Sequence, residues 1–228
     1  MPVTDRDQAY ARIQEMIDDG TLVPAQPLSE RGLAETLGLG RTPVREALRA
    51  LAHARLLEVI PTRGTFVRTP TLDEMRETYE IRVALEGMAA YLAAERGPSP
   101  RLLACGERLR ELLARAEKDV KVIQAVGWEL HDEIFRCAGN RGLAEMHQTC
   151  RLRIGLALRL TRQYDHQRVH ETIHEHLAVL EAIEAGEPEQ AEQRMRQHLA
   201  NALQARLRIF TRLGTGIPAP GGRESALP

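Results

Sequence analysis

The sequence has few aromatic residues and few cysteines, and it lacks any long apolar run. Only 4% of its 228 residues are aromatic, and the three cysteines, Cys105, Cys137 and Cys150, form no Cys-x-x-Cys pair. This usage argues against a disulfide framework and against a zinc ribbon. No apolar run approaches the roughly 18 positions of a membrane span, and the polar first residues do not form a secretory signal. We therefore expect a cytoplasmic protein with no membrane contact.

Net charge is also nearly absent, but the charge that exists is unevenly distributed. The formal net charge of the chain is -1, whereas residues 31–68 carry seven arginines and three glutamates, a local net charge of +4. A basic segment within a nearly neutral chain is typical of a nucleic-acid-binding module. The length fits two domains, one of roughly 70 and one of roughly 150 residues.

Helical spacing and breaker residues predict three short helices followed by a β-hairpin in the first domain. Apolar residues recur at helical spacing from Tyr10 to Ile17, and Ser29 and Thr42-Pro43 each mark the start of a further helix. About three residues around Gly38-Leu39-Gly40 separate the second and third helices, as in a helix-turn-helix. The β-branched runs on either side of Pro61-Thr62-Arg63-Gly64 predict the hairpin.

Helical patterns fill the remainder of the chain and predict six helices. These helices cover about Leu72–Arg96, Leu102–Leu113, Val120–Ala138, Gly142–Gln163, Arg168–Ala185 and Pro188–Leu213. The predicted fold is therefore mainly α. We expect a winged helix-turn-helix at residues 1–69, an all-α six-helix bundle at residues 70–213 and a disordered Gly/Pro-rich tail at residues 214–228.

The second helix of the helix-turn-helix pair carries arginine at every fourth position. Val44, Leu48 and Leu51 form its apolar face, so Arg41, Arg45 and Arg49 form a stripe beside that face. The alternative is an ordinary solvated arginine face. Further basic positions favour DNA binding, because Arg31 precedes the stripe and Arg63-Gly64 lies at the hairpin tip. Arginine can bind guanine O6 and N7 bidentately, and Thr42 at the helix N-terminus can hold a phosphate.

Two stretches, PLSERGLAETLGLGRTPVREALRAL from Pro27 and PTRGTFV from Pro61, resemble the winged helix-turn-helix of the GntR family of bacterial transcription regulators. The resemblance implies that Arg45 is the main base reader and that the Arg63-Gly64 pair reaches the minor groove. The positions that it implies in DNA contact are Arg31, Arg41, Thr42, Arg45, Arg63 and Gly64. Gly40 stands where the family usually has serine or threonine, so one hydroxyl contact to phosphate is lost.

Histidines occur on the apolar faces of three predicted helices of the second domain. Spacing places His176 and His198 on inward faces and His131 at the edge of such a face. An inward histidine is usually a hydrogen-bonded core residue, but three on one bundle could converge as neutral nitrogen ligands of a divalent cation. His170 and His174, with His166 one turn earlier, flank an apolar stripe, and we interpret them as a solvated face.

Residues 72–213 resemble the FCD effector domain through the stretches Tyr79–Glu86, His131 with Ala138-Gly139-Asn140, and Glu175-His176 with Met195–Leu199. The resemblance implies a metal site of one aspartate and three histidines that also holds a small carboxylate effector. His131, His176 and His198 fall on the histidine positions, and Gly127 stands at the aspartate position. Three histidines still suffice for zinc or nickel. Arg82 matches a family arginine near the effector pocket; the alternative is an ion pair with Glu86.

Together these patterns predict a transcription regulator, a repressor rather than an enzyme. We expect a homodimer that binds a pseudo-palindromic double-stranded DNA operator and responds to a small organic acid. Three alternatives stay open at this point. They are a metal-dependent helical-bundle enzyme with Glu129 or Glu133 as general base, a protein-binding helical scaffold, and a metal-free pocket in which the histidines bind an anion directly.

Overall fold

A computed structural model of the chain describes residues 3–69, 71–117, 119–148, 151 and 166–213. The chain divides into two compact units. Among the described residues, those up to Thr71 and from Phe210 onward belong to the first unit, and those from Leu72 to Ile209 belong to the second. The predicted tail at residues 214–228 lies outside the described residues, as does the entire second half of the predicted Gly142–Gln163 helix. None of the described helices combines the length and the apolar character needed to cross a bilayer.

The first unit contains three helices and a small antiparallel sheet. Its elements are α1 (Asp5–Asp18), β1 (Pro27–Leu28), α2 (Glu30–Leu37), α3 (Arg41–His53), β2 (Leu57–Ile60) and β3 (Gly64–Val67). β3 is the central strand, with β2 paired on one side and β1 on the other. The sequence predicted only the β2–β3 hairpin, because a strand of two residues is too short to produce an alternating pattern.

Local capping explains where the helix-turn-helix begins and turns. The Ser29 side chain accepts a hydrogen bond from the Gly32 amide and so caps the start of α2. Gly38 ends α2 with a φ of 67°, a left-handed conformation that favours glycine. α3 then begins after Gly40, which provides no side-chain cap. The apolar face of α3, formed by Val44, Ala47, Leu48 and Leu51, is buried in the core of this unit.

The second unit is a helical bundle. Its described helices are α4 (Leu72–Arg96), α5 (Pro100–Ala114), α6 (Val120–Ala138), α7 (residues 141–148), α8 (His166–Glu184) and α9 (Pro188–Leu213), the last as far as Ile209. α6 packs against α4, α5 and α8. At the α5–α8 contact, a side chain at Gly106 would collide with Leu180, so the glycine permits close packing. The predicted fold class, mainly α with an all-helical second half, is confirmed.

Candidate metal centre and DNA-binding surface

Three histidines from three helices converge inside the second unit. His131 on α6, His176 on α8 and His198 on α9 are each only 4% exposed. The Nε2 atom of His176 lies 3.2 Å from Nε2 of His131 and 3.2 Å from Nε2 of His198. One ligand atom from each residue lies within 4.8 Å of the other two, and the described part of the chain holds no other such group of three histidines, cysteines or carboxylates.

Carboxylates hold two of these imidazoles by their other nitrogen. Glu175 Oε2 accepts a hydrogen bond from Nδ1 of His198 at 2.8 Å. Glu86 Oε2 lies 2.5 Å from Nδ1 of His131, although the ring N–H is not well aligned with it. A proton on Nδ1 leaves the Nε2 lone pair available, so these carboxylates favour the tautomers that direct both lone pairs toward the cluster centre.

Glu175 is itself fixed by a polar network. Arg168 donates to its two oxygens at 2.8 and 2.9 Å, and Asn201 Nδ2 donates to Oε1 at 2.7 Å. Burial alone would raise the pKa of Glu175, but the hydrogen bonds from His198 and Arg168 outweigh it and lower this pKa to about 2. The carboxylate is therefore ionised at neutral pH and holds His198 in one orientation.

Glu86 connects the first helix of the bundle to the cluster. This fully buried carboxylate forms an ion pair with Arg82 on the same helix, and its Oε1 lies 3.4 Å from Nε2 of His147 on α7. Burial would raise the pKa of Glu86, but the positive charge of Arg82 and the contact with His131 hold it well below its usual range. Sequence reasoning missed the buried His147, because a single histidine on a helix gives no periodic signal of its own.

Arg82 lies beside this carboxylate and between two aromatic rings. Its guanidinium carbon is 5.1 Å from the ring centre of Tyr79 and 5.3 Å from that of Trp128. The ion pair with Glu86, which the sequence left as an alternative, is present in the structure. The contact between Arg82 and an effector stays a prediction.

The electrostatics of the cluster keep the histidines neutral. Burial lowers the pKa of His198 to about 4, even though Glu175 opposes the shift. Burial also lowers the pKa of His131. The pKa of His176 lies well below its ordinary value, first because the ring is buried and then because His198 and His131 lie beside it. Neutral imidazoles are the form that binds metal ions. A proton on Nε2 of His176 can be donated to Nε2 of either His131 or His198, but not to both. A cation could instead accept the Nε2 lone pairs of all three histidines.

The spacing of the nitrogens also fits a cation. Zinc–nitrogen bonds of about 2.0 to 2.1 Å in tetrahedral geometry separate ligand nitrogens by roughly 3.3 Å. The observed Nε2 distances of 3.2 Å lie close to that value. The donor set, its spacing and its anchored tautomers therefore fit a divalent metal ion.

No fourth protein ligand approaches from the position of Gly127. A Cβ at this position would lie 2.7 Å from Cε1 of His176, so the imidazole fills the space beside the glycine. The two carboxylates considered as general bases are also absent from the cluster. Glu129 pairs with Arg108 and Glu133 with Arg136. His170 and His174 are likewise not part of it, and the side chain of His166 lies outside the described residues.

The predicted DNA-contacting residues are all exposed on the first unit. They are Arg31 on α2, Arg41, Thr42, Arg45 and Arg49 on α3, and Arg63 and Gly64 at the β2–β3 turn. Arg31 pairs with Glu35 at 2.9 Å and Arg45 with Glu30 at 3.7 Å. Exposed pairs of this kind contribute about 0 to 1 kcal/mol, so both arginines can exchange their partners for phosphate or base at little cost.

The turn geometry explains the glycine beside Arg63. Gly64 has a φ of 109°, which side chains rarely adopt, and no atom lies within 4 Å of the place where its Cβ would be. Gly64 pairs with Ile60 at the start of β3, and Arg63 immediately precedes it in the tight loop. The loop therefore holds Arg63 at the tip of the hairpin with open space around the following residue.

Sequence profiles of two families match the two units. The profile described as bacterial regulatory proteins, gntR family, matches residues 5–67, and that of the FCD domain matches residues 77–201. The chain belongs to the GntR family. This GntR-family protein is a DNA-binding transcription regulator with an effector-binding C-terminal domain, as the sequence predicted.

Individual relatives agree with this assignment. The chain is 30% identical to a probable D-xylose utilization operon transcriptional repressor of Paenarthrobacter nicotinovorans, over 83% of each protein. It is 26% identical to the uncharacterised HTH-type transcriptional regulator YdhC of Bacillus subtilis, over 84% of this chain and 86% of YdhC. The solved structure of Escherichia coli McbR/YncC matches with a TM-score of 0.78 and 26% identity, over 92% of this chain and all of the other.

Proposed function

We propose that the protein is a homodimeric repressor that binds a pseudo-palindromic operator and is modulated by a small organic acid at the three-histidine centre. The observation that carries the effector site is the convergence of three buried Nε2 atoms at 3.2 Å spacing. The residues assigned to DNA contact are Arg31, Arg41, Thr42, Arg45, Arg49, Arg63 and Gly64. A homodimer supports this function because one helix-turn-helix reads only a short half-site.

His131, His176 and His198 are the ligands of the proposed metal, with zinc or nickel as the preferred ions. When bound, a divalent ion on three neutral nitrogens supplies an open coordination position for a carboxylate. The protein's own contribution is to keep the three imidazoles neutral and oriented. Glu175 and Glu86 perform this function through the Nδ1 atoms of His198 and His131.

Arg82 supplies a second anchor for an organic acid. A carboxylate that pairs with Arg82 competes with Glu86, and Glu86 also contacts His131 on α6 and His147 on α7. Effector binding at this point therefore alters the contacts of three helices together. α4, which carries Arg82 and Glu86, is the first element after the division between the units. A coupling of about 1 to 3 kcal/mol would change operator affinity roughly 5- to 150-fold.

Metal content tests this proposal directly. Protein purified without an affinity tag or chelator is measured by plasma mass spectrometry beside the variants His176→Ala, His198→Ala and His174→Ala. The last variant is the matched control, since His174 lies on α8 but is exposed. We expect about one ion per chain in the wild type and in the control, as for a site of one structural or regulatory ion, and none in the other two.

An absence of metal in the wild type, even after zinc or nickel is added, would overturn the metal assignment. It would favour the second candidate, a pocket in which the histidines bind an anionic effector directly. One observation favours that candidate: Nδ1 of His176 and Nε2 of His147 are buried without a hydrogen-bond partner. A bound acid could satisfy such atoms.

A further inference from the structure

Gly127 is in contact with the ring of His176. The two residues lie on different helices, α6 and α8, and both are buried. From the place where a Cβ would be, the ring atoms Cε1, Nδ1 and Nε2 of His176 are 2.7, 3.3 and 3.8 Å away. Nonbonded carbon atoms pack at about 3.5 to 4.0 Å, so any side chain at this position would move the ring by about 1 Å.

A shift of this size matters at the cluster because His176 is its central member. His176 Nε2 lies 3.2 Å from both of the other Nε2 atoms. Metal–ligand distances in proteins tolerate a deviation of about 0.2 Å, which is well below the displacement that a Cβ would impose. No carboxylate holds the ring of His176 by its other nitrogen, because its Nδ1 makes no hydrogen bond, whereas Nδ1 of His198 is hydrogen-bonded to Glu175 and Nδ1 of His131 lies beside Glu86.

We propose that Gly127 is a positioning residue for His176 and that it limits the protein ligands of the centre to three. This inference rests on the proposed metal site. Because Gly127 has no side chain, the imidazole of His176 packs against α6. The imidazole then fills the space that a metal ligand one helical turn before His131 would need. An aspartate at position 127 cannot be accommodated while His176 keeps its present placement, because its Cβ would collide with the imidazole. The remaining coordination positions are therefore left to ligands from solution.

A consequence is that restoring a carboxylate should damage the site. Gly127→Asp adds a potential ligand, yet we expect it to weaken zinc binding by about tenfold or more, within the range for displaced metal-supporting groups. Gly127→Ala should weaken zinc binding similarly, because the Cβ is the cause. In a His176→Ala background, the effect of Gly127→Asp on zinc affinity should change from a loss to a gain. There the ring is gone, and Gly127→Asp should strengthen zinc binding relative to His176→Ala alone.

The experiment measures zinc affinity of the full-length chain by competition with a chromophoric chelator. Cobalt(II) absorption provides a second readout, since its intensity reports the coordination number. Gly87→Ala is the matched control. Gly87 is also buried within a long helix, but the atoms nearest to its Cβ would belong to the flexible side chains of Arg196 and Glu192, at 3.2 to 3.3 Å. Circular dichroism of the metal-free proteins establishes that each variant folds.

We expect weaker zinc binding in both single Gly127 variants, an affinity within about threefold of wild type for Gly87→Ala, and the reversed sign in the double variant. Tighter zinc binding by Gly127→Asp, with a cobalt spectrum of higher coordination number, would overturn the inference while leaving the proposed metal site intact. Equal losses with and without His176 would also overturn it. A wild-type protein that binds neither zinc nor cobalt would overturn both.

Discussion

The arginines of the first unit and the histidines of the second differ in exposure and in how they are held. Arg31 is 80% exposed and has one carboxylate partner within its own helix. His198 is 4% exposed and is hydrogen-bonded to a carboxylate that three further hydrogen bonds fix. The arginine surface is exposed, whereas the histidine cluster is buried and held by hydrogen bonds. The first arrangement suits a ligand with many phosphates, and the second suits a small ligand that needs fixed geometry.

Ionic strength should separate the two sites most strongly. If a dimer neutralises about six phosphates, its affinity for duplex DNA should fall about 10³-fold between 50 and 200 mM salt, because bound counterions are released from the DNA. Zinc affinity of the buried cluster should change little over the same range, since buried charges are weakly screened. Fluorescence anisotropy with labelled DNA and chelator competition measure the two quantities. DNA binding that is insensitive to salt would contradict the arginine surface and favour the scaffold alternative.

Replacing one exposed arginine should test which of them reads bases. Arg45→Ala should lower the preference for an operator, selected from random duplexes by the wild type, by about 5- to 150-fold at each half-site, because a bidentate guanine contact is lost. Arg12→Ala is the control, since Arg12 is also exposed but lies on α1 and pairs with Glu15. The measurement is the ratio of affinities for selected and random DNA. An unchanged ratio in Arg45→Ala would remove Arg45 from its assigned role.

A substitution of Glu175, which holds His198, should show how much the hydrogen-bond network contributes to zinc affinity. Glu175→Gln keeps the shape of the side chain but removes the charge that holds His198, so zinc affinity should fall by about 10- to 100-fold. Glu171→Gln on the same helix is the matched control, because Glu171 also lies near Arg168, at 3.6 Å, but is half exposed. Equal zinc affinities for the two variants would show that the network does not support the centre.

Acid should destabilise the metal-free second unit, and this is the smallest expected effect. The pKa of His198 is lowered to about 4, and those of His131 and His176 are also lowered, so the unfolded chain binds more protons than the folded one below about pH 6.5. Stability is therefore full above that pH and falls toward pH 4. The loss is at most about 1.4 kcal/mol per pH unit for each histidine. The low pKa values of Glu86 and Glu175 act only below about pH 4.5.

Trp128 provides the readout for this measurement. It is the sole tryptophan, it lies on α6, and its ring centre is 5.9 Å from that of His131. Urea unfolding followed by its fluorescence at pH 7 and pH 5 reports the second unit alone. A free energy of unfolding that stays level or rises on acidification would contradict the buried neutral histidines. His198→Gln should flatten the profile, because one titrating group is removed.

Much of the architecture could be predicted from the sequence because it depends on local patterns. Apolar spacing and breaker residues located α6 at Val120–Ala138 and α9 at Pro188–Leu213, and both have these bounds in the structure. The inward faces of His176 and His198 followed from the same periodicity. β1 was missed, because two residues carry no period and its pairing with β3 joins segments that are distant in the chain.

The sequence by itself determined the mainly helical fold, the concentration of positive charge in residues 31–68, and which histidines face the interior. Only the tertiary structure decided that His131 and His176, 45 residues apart, meet at 3.2 Å. It also decided that Glu86 and Glu175 hold the cluster, and that the imidazole of His176 occupies the space beside Gly127. The physical reason is that periodicity fixes the direction of a side chain on its own helix. The distance to another helix depends on how closely the two helices pack, and a single missing Cβ can set it.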